Sequence, residues 1–197
     1  MIKPAEVRYP IHDLLQNRWS PRAFSTQPVE DEKLLSLFEA ARWSPSGGNA
    51  QPWAFIVTTR SSDAGCHDQF VQVLSGRNKL WAKDAALLVL TVATPYPRSA
   101  AANEYSFYDL GQAVAHLTVQ AGALGLVVHQ MGGFDRQAAR LLFGLPEGYE
   151  PMTVIAIGYQ GNAEDLPEEL RERELAPRTR KSLEDFVFAD RWEQPLP

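Results

Sequence analysis

Ala86-Leu87-Leu88-Val89-Leu90-Thr91-Val92-Ala93 is a continuous apolar run of strand length, and it reads as a buried strand. What flanks it decides the fold class. Upstream, Ala54–Thr59 reads as another strand, followed by a helix over Ser62–Leu74 that Gly76 ends. Downstream, Ser106–Leu124 reads as a long helix with Leu110, Ala113, Val114, Leu117, Ala121 and Leu124 on its apolar stripe and Gly125 at its C-cap. Leu126–His129 is a short strand. Asp135 N-caps a helix that runs to Phe143, with Gly144 after it, and Met152–Tyr159 is a further strand. Before the first strand, His12–Asn17 forms a short helical turn. Glu30–Trp43 is a helix with Leu34, Leu37, Phe38 and Ala41 on one face, acidic residues in its first turn and Arg42 in its last, as the helix dipole favours. Pro45, Gly47 and Gly48 stop it. About four strands and four or five helices result. Their order is not a regular βαβ alternation, and no strand leads into GxGxxG or a P-loop. The pattern therefore predicts an α+β sandwich rather than a Rossmann sheet.

The chain has 197 residues, the length of one domain or of one domain with an arm. Such a chain buries about 70% of its unfolded surface and folds without covalent staples. Hydrophobic residues at 45% and aromatics at 10% exclude disorder as the main state. Cys66 has no second cysteine to pair with, which excludes a disulfide scaffold and fits a reducing compartment. The net charge of -5 excludes a basic nucleic-acid binder. Met1 to Asp13 has no apolar h-region, and apolar stretches such as Ala85–Leu90 fall far short of the ~20 residues that span a bilayer. The expectation is a cytoplasmic protein with neither a nucleic-acid nor a membrane partner. Past Gly161 the composition changes. Asn162–Glu174 is acidic, Arg178–Lys181 is basic, and Phe186-Val187-Phe188 and Trp192 follow. Residues 1–161 are expected to form the core, and 162–197 an arm packed on a partner subunit.

The common catalytic sets are absent. His12, His67, His116 and His129 form no HExxH, and no Cys/His spacing suits zinc. Ser46 stands in Ser-Gly-Gly, not in a GxSxG elbow. Cys66 or a serine could serve a hydrolase, but a lone helical cysteine is ordinarily inert filler. No side chain is expected to act as acid, base or nucleophile, and no metal site is expected.

What stands out is chemistry that binds. In Arg18-Trp19-Ser20-Pro21-Arg22-Ala23-Phe24, two arginines and a hydroxyl within five residues can converge on one phosphate; a solvated surface stretch is the plainer reading. In Ser44-Pro45-Ser46-Gly47-Gly48-Asn49-Ala50-Gln51-Pro52-Trp53, two glycines admit close approach of a flat ligand. Asn49 and Gln51 suit the edge of a heterocycle, or only pin the turn. Met131-Gly132-Gly133-Phe134 exposes backbone N–H groups between a strand and a helix, or is a plain turn. Arg178-Thr179-Arg180-Lys181 is a cationic run in an acidic tail, and a surface charge run is its plainer reading.

Taken together and in order, these motifs resemble the FMN-dependent nitroreductase family over nearly the whole chain. Arg18, Ser20, Arg22 and Phe24 match its RxSxRxF pattern. Pro45, Ser46, Asn49, Gln51, Pro52 and Trp53 match its PSxxNxQPW loop. Gly132, Gly133 and Phe134 match its GGF turn, and Arg178 and Arg180 its basic phosphate motif. The resemblance implies a nitroreductase-like three-layer α-β-α sandwich with a mixed, mainly antiparallel sheet, in an intertwined homodimer with FMN at the subunit interface. It implies that Arg18, Trp19, Ser20 and Arg22 hold the phosphate and part of the flavin edge, with Arg178 and Arg180 closing on the phosphate. Pro45, Ser46, Gly47 and Asn49 would come from the other subunit, the backbone of Gly132 and Gly133 would face flavin N5, and Asn78 would add a polar contact. The implied activity is NAD(P)H oxidation by ping-pong hydride transfer through flavin N5 to nitroaromatic, quinone or similar acceptors. The segment Pro95 to Asp109, with Tyr96, Tyr105, Phe107 and Tyr108, is expected to line the acceptor pocket; these aromatics could equally be core residues. The alternative function is an FMN store or sensor without NAD(P)H turnover.

Overall fold

The structure, a computed structural model, describes residues 3–61, 63–94 and 104–196. The helices are α1 (Asp13–Asn17), α2 (Asp31–Arg42), α3 (Ala64–Val73), α4 (Asn78–Ala82), α5 (Glu104–Ala123), α6 (Arg136–Phe143) and α7 (Glu168–Leu175). The strands are β1 (Trp53–Thr59), β2 (Leu87–Ala93), β3 (Val127–Met131) and β4 (Glu150–Gly158). Each strand and long helix read from the sequence is present, with ends shifted by a residue or two. Two short helices, α4 and α7, carry no apolar period long enough to be read in advance.

The four strands form one sheet in the order β1-β2-β4-β3. Every pairing is antiparallel, with Val57 opposite Val89, Leu88 opposite Ala156, and Val128 opposite Ile157. The expected parallel component of the sheet is therefore not found among the described residues. β2 is central and buried along its whole length, which is why its sequence does not alternate. A bulge between Thr91 and Val92 is held by the Thr91 and Thr153 hydroxyls, 2.8 Å apart.

Helices cover both faces of the sheet. Leu87, Val89, Ile155 and Ile157 pack with Leu37 and Ala41 of α2 and Leu110, Leu117 and Ala121 of α5. Leu88, Leu90, Val154 and Ala156 pack with Phe70 of α3, Trp81 of α4 and Ala139 of α6. This is the three-layer sandwich expected, with one apolar layer on each side. Fully burying one Leu, Ile or Phe contributes about 1.5–3 kcal/mol, so both layers hold the sheet. The Asp135 carboxylate accepts from the Ala138 amide at 2.9 Å and Gly144 adopts the left-handed conformation, the capping expected of α6.

Two features position the site. Residues 23–25 run beside the end of β4, with Phe24 bridged to Gln160 and the Gly161 amide donating to Ala23 at 2.8 Å. A side chain at Gly161 would lie 2.6 Å from the Phe24 carbonyl, so only glycine fits. The arm begins by docking on its own chain: α7 turns Leu170 and Glu174 inward, one turn apart, while Phe186 and Trp192 beyond it are exposed. No helix among the described residues is long and apolar enough to cross a membrane.

Candidate functional site

The Arg18–Arg22 turn follows α1 and is tied down from three sides. Arg178 donates to the carbonyl oxygens of Lys3, Gln16 and Arg18 at 2.6, 2.9 and 2.8 Å, so one guanidinium joins the N-terminal segment, the turn and the arm. His129 on β3 meets the Pro21 carbonyl through Nδ1 at 2.8 Å and packs its ring against Trp81 of α4 at 4.5 Å. Glu174 of α7 accepts from the Arg22 amide at 2.8 Å and the Ala23 amide at 3.1 Å. Lys3 donates to the Glu174 and Ala176 carbonyls, both at 2.6 Å, and its ammonium lies 4.6 Å from the Trp19 ring centroid.

Between these parts lies a cavity of about 270 Å³. Lys3, Arg18, Arg22, Arg173, Arg178 and Arg180 line it with Trp19 and Ser20, so six cations face one small space. Arg18 also donates to the Ser20 hydroxyl at 3.3 Å. A larger cavity of about 540 Å³ shares the Arg18–Trp19 wall, but its lining is Leu14, Gly122, Leu126, Val127 and neighbours, and Arg18 is the one cation among them. Anion chemistry therefore belongs to the smaller cavity.

The charges in the small cavity strain against one another. Burial pulls the Arg18 guanidinium below its usual value, and Arg178 and Arg180 pull it further. Burial lowers Arg178, with Arg180 adding to it, and lowers Lys3. Burial also lowers Arg22, while Glu174 works in the opposite direction. Like charges held together at partial burial are relieved by an anion, and arginine forks supply donors and no acceptors. Burial pushes His129 down to about 4 against the help of the Pro21 carbonyl, so its ring is neutral at pH 7 and Nδ1 carries the proton that Pro21 accepts.

The glycine turn lies at the far end of β3. Asn78 opens α4 and donates through Nδ2 to the Gly133 carbonyl at 3.1 Å, and the Ser75 amide donates to the same oxygen at 2.9 Å. Two residues proposed separately from the sequence are thereby brought together. Neither Gly132 nor Gly133 has positive φ, so glycine is not needed there for its conformation. At Gly133 a Cβ would meet Asn78 Nδ2 at 3.0 Å, so a side chain there requires the Asn78 carboxamide to give way.

The remaining predicted residues form a separate group. Pro45, Ser46, Gly47 and Asn49 lie in the loop entering β1, with positive φ at Gly48, Asn49 and Gln51. The Ser46 hydroxyl accepts from the Gln51 amide at 3.0 Å, and the Gly47 amide donates to the buried Asp109 carboxylate at 3.0 Å. Asp109 thus joins this loop to the start of α5, where Tyr105, Phe107 and Tyr108 are 75%, 41% and 68% exposed. These three are not core residues. The earlier part of that segment, residues 95–103 with Tyr96, lies outside the described residues. β1 and β3 are the two edges of the sheet, about 14 Å apart at three strand spacings. Within one chain the Ser46 loop and the Arg18 turn stand at opposite edges.

Sequence reading missed Glu174, His129, Lys3 and Asp109. An acidic run in a polar helix does not announce which carboxylate turns inward. The one usable signal is that Leu170 and Glu174 share a helix face. Nor did it separate Arg178, whose donors are taken by three carbonyls, from the exposed Arg180, which donates to the neighbouring Thr179 carbonyl at 2.7 Å. Among the described residues no cluster of His, Cys, Asp and Glu could hold a metal ion.

Comparison with known proteins identifies the family. Residues 15–159 match the sequence model of the Nitroreductase family. The chain is 31% identical to the major NAD(P)H-flavin oxidoreductase of Aliivibrio fischeri, over 90% of this chain and 96% of that one. It is 27% identical to a putative NADH dehydrogenase/NAD(P)H nitroreductase of Archaeoglobus fulgidus, over 79% and 88%. Among solved structures, an oxidoreductase containing FMN superposes with a TM-score of 0.87 at 34% identity, covering 95% of each chain. A nitroreductase family protein of Clostridium difficile superposes with a TM-score of 0.71 at 26% identity, covering 91% and 97%.

Proposed function

Because the chain belongs to the nitroreductase family, we propose that it is an FMN-dependent NAD(P)H oxidoreductase acting on small, flat, electron-poor acceptors such as nitroarenes and quinones. The observation that carries this reading is the cavity in which six cations and the Ser20 hydroxyl face one small space. Its donor set fits a phosphate dianion.

Arg18, Ser20 and Arg180 hold the phosphate, and Trp19 closes the wall of the pocket. Arg178 pins the turn and adds its charge. Arg22 supplies positive charge at the flavin edge, where it favours an anionic ring. Asn78 and the backbone of Gly132 and Gly133 fix the ring at the other end of β3. FMN held by these residues would supply hydride transfer at N5, which predicts ping-pong kinetics. No acid or base need come from the chain.

The Ser46 loop enters the same site from a second copy. The two groups stand at opposite edges of one sheet, and a homodimer is the arrangement that lets both reach a single flavin. Exposed Trp43, Tyr105, Tyr108, Phe186 and Trp192 give such a copy an apolar surface to cover. Tyr105, Phe107 and Tyr108 then line the acceptor pocket, where flat rings suit flat acceptors.

The visible absorption spectrum of the purified protein, taken before and after anaerobic NADPH and then NADH, tests the reading. Flavin bands that bleach are expected. Flavin bands that persist with both nucleotides select the storage or sensor function, and a colourless protein that FMN cannot reconstitute overturns the cofactor assignment.

A further inference from the structure

Glu174 is fully buried, on the helix that begins the arm, directly against the Arg18–Arg22 turn. Its Oε2 accepts from the Arg22 amide at 2.8 Å, and its Oε1 lies 3.0 Å from the same amide and 3.1 Å from that of Ala23. The Arg22 guanidinium is 4.0 Å from Oε2, at the outer limit of an ion pair, and its side chain is 25% exposed. Two backbone amides satisfy the carboxylate, and no fork-to-fork pair with arginine neutralises it. A neutral glutamine could accept from these amides and tie α7 to the turn. What a carboxylate adds is a negative charge next to the cation nearest the predicted flavin edge.

Resting on the FMN reading, we propose that Glu174 is a positioning residue that acts through Arg22. It anchors the Arg22 backbone and offsets part of the Arg22 charge, and so limits how strongly the site favours reduced over oxidised FMN. The sign follows from Coulomb's law. Reduction adds negative charge to the ring, cations stabilise that charge, and a buried carboxylate opposes it. The acidic character of residues 164–174 then has a use at this one position, while Glu164 and Glu169 make exposed ion pairs with Arg171 and Arg77.

The test is E174Q in the full-length protein, read as the affinity for oxidised and for reduced FMN and as the midpoint potential. Reduced FMN is expected to gain about tenfold over oxidised FMN, which for a two-electron couple is an upward shift of about 30 mV. In an Arg22→Gln background the same substitution is expected to change the ratio less than about threefold. A role confined to structure changes both affinities alike and leaves the potential where it was, and that result overturns the proposal. If E174Q does not fold, Glu174→Asp replaces it. That variant retracts the charge from Arg22 and is expected to shift the potential the same way, and an unchanged potential again overturns the proposal. A wild-type chain that takes up no FMN overturns the functional reading and this proposal with it. A wild-type chain that binds FMN beside a variant of unchanged ratio overturns this proposal alone.

Discussion

The Asn78 carboxamide donates to the Gly133 carbonyl at 3.1 Å, and a methyl group on Gly133 would sit 3.0 Å from the same nitrogen. The two positions therefore answer to each other. Gly133→Ala is expected to displace Asn78, break this bond and cost about 1 kcal/mol in urea unfolding. Gly132 has nothing within 4 Å of its would-be Cβ, so Gly132→Ala is expected to change stability by less than about 0.5 kcal/mol. Both are expected to weaken FMN binding about tenfold by crowding the ring. An unchanged affinity in Gly132→Ala would remove that residue from the flavin site.

His129 predicts an acid-side loss of stability. Its folded value of about 4 lies below the ordinary 6.5, so between these two values the unfolded chain binds more protons than the folded one. Stability therefore rises with pH through this window and is lost as pH falls. Between pH 7 and pH 5 the His129 contribution amounts to about 2 kcal/mol. In His129→Asn, whose amide can still donate to Pro21, the difference between unfolding free energies at pH 7 and pH 5 is expected to shrink by about that amount. An equal pH dependence in variant and wild type refutes the assignment.

Arg178 and Arg180 separate two roles that look alike in sequence. Lysine at position 178 keeps the charge but cannot reach three carbonyls. Arg178→Lys is expected to lose about 2 kcal/mol of unfolding free energy in the FMN-free protein. Arg180→Lys is expected to stay within about 0.5 kcal/mol. The opposite ranking would mean that the clamp is not held in solution.

Complementation between two inactive chains tests the shared site. A chain carrying Arg18→Ala and Arg22→Ala is expected to be inactive alone, as is one carrying Ser46→Ala and Asn49→Ala. Coexpressed at equal levels, half of the dimers pair one of each and hold one intact site of two. NAD(P)H oxidation is then expected at about a quarter of the wild-type level. No recovery would place both groups in a single chain's site.

Much of the fold was legible because it rests on local periodicity. The unbroken run at Leu87–Ala93 marks the strand covered on both faces, and the stripe from Leu110 to Leu124 marks the long helix beside it. Asp135 and Gly144 mark the ends of α6. α4 and α7 escape such reading: each buries only two residues, too few to set a period, and neither carries the pair of end signals, Asp135 and Gly144, that marks α6.

The sequence by itself determined the class of the fold, the order of its elements, the family, and the short motifs whose donors suit a phosphate and a flat ring. Those are properties of residue spacing, and spacing is written in the chain. Only the tertiary structure decided which of those residues meet. It put Arg178 under the turn as a clamp and left Arg180 free of such work. It joined Asn78 to Gly133 across 55 positions, and brought Glu174 to Arg22 across 152. It also set the Ser46 loop and the Arg18 turn at opposite edges of the sheet. The physical reason is that burial and charge act through space. A carboxylate becomes a counter-charge, and a histidine a neutral prop, only when packing removes water and brings distant residues within a few ångströms.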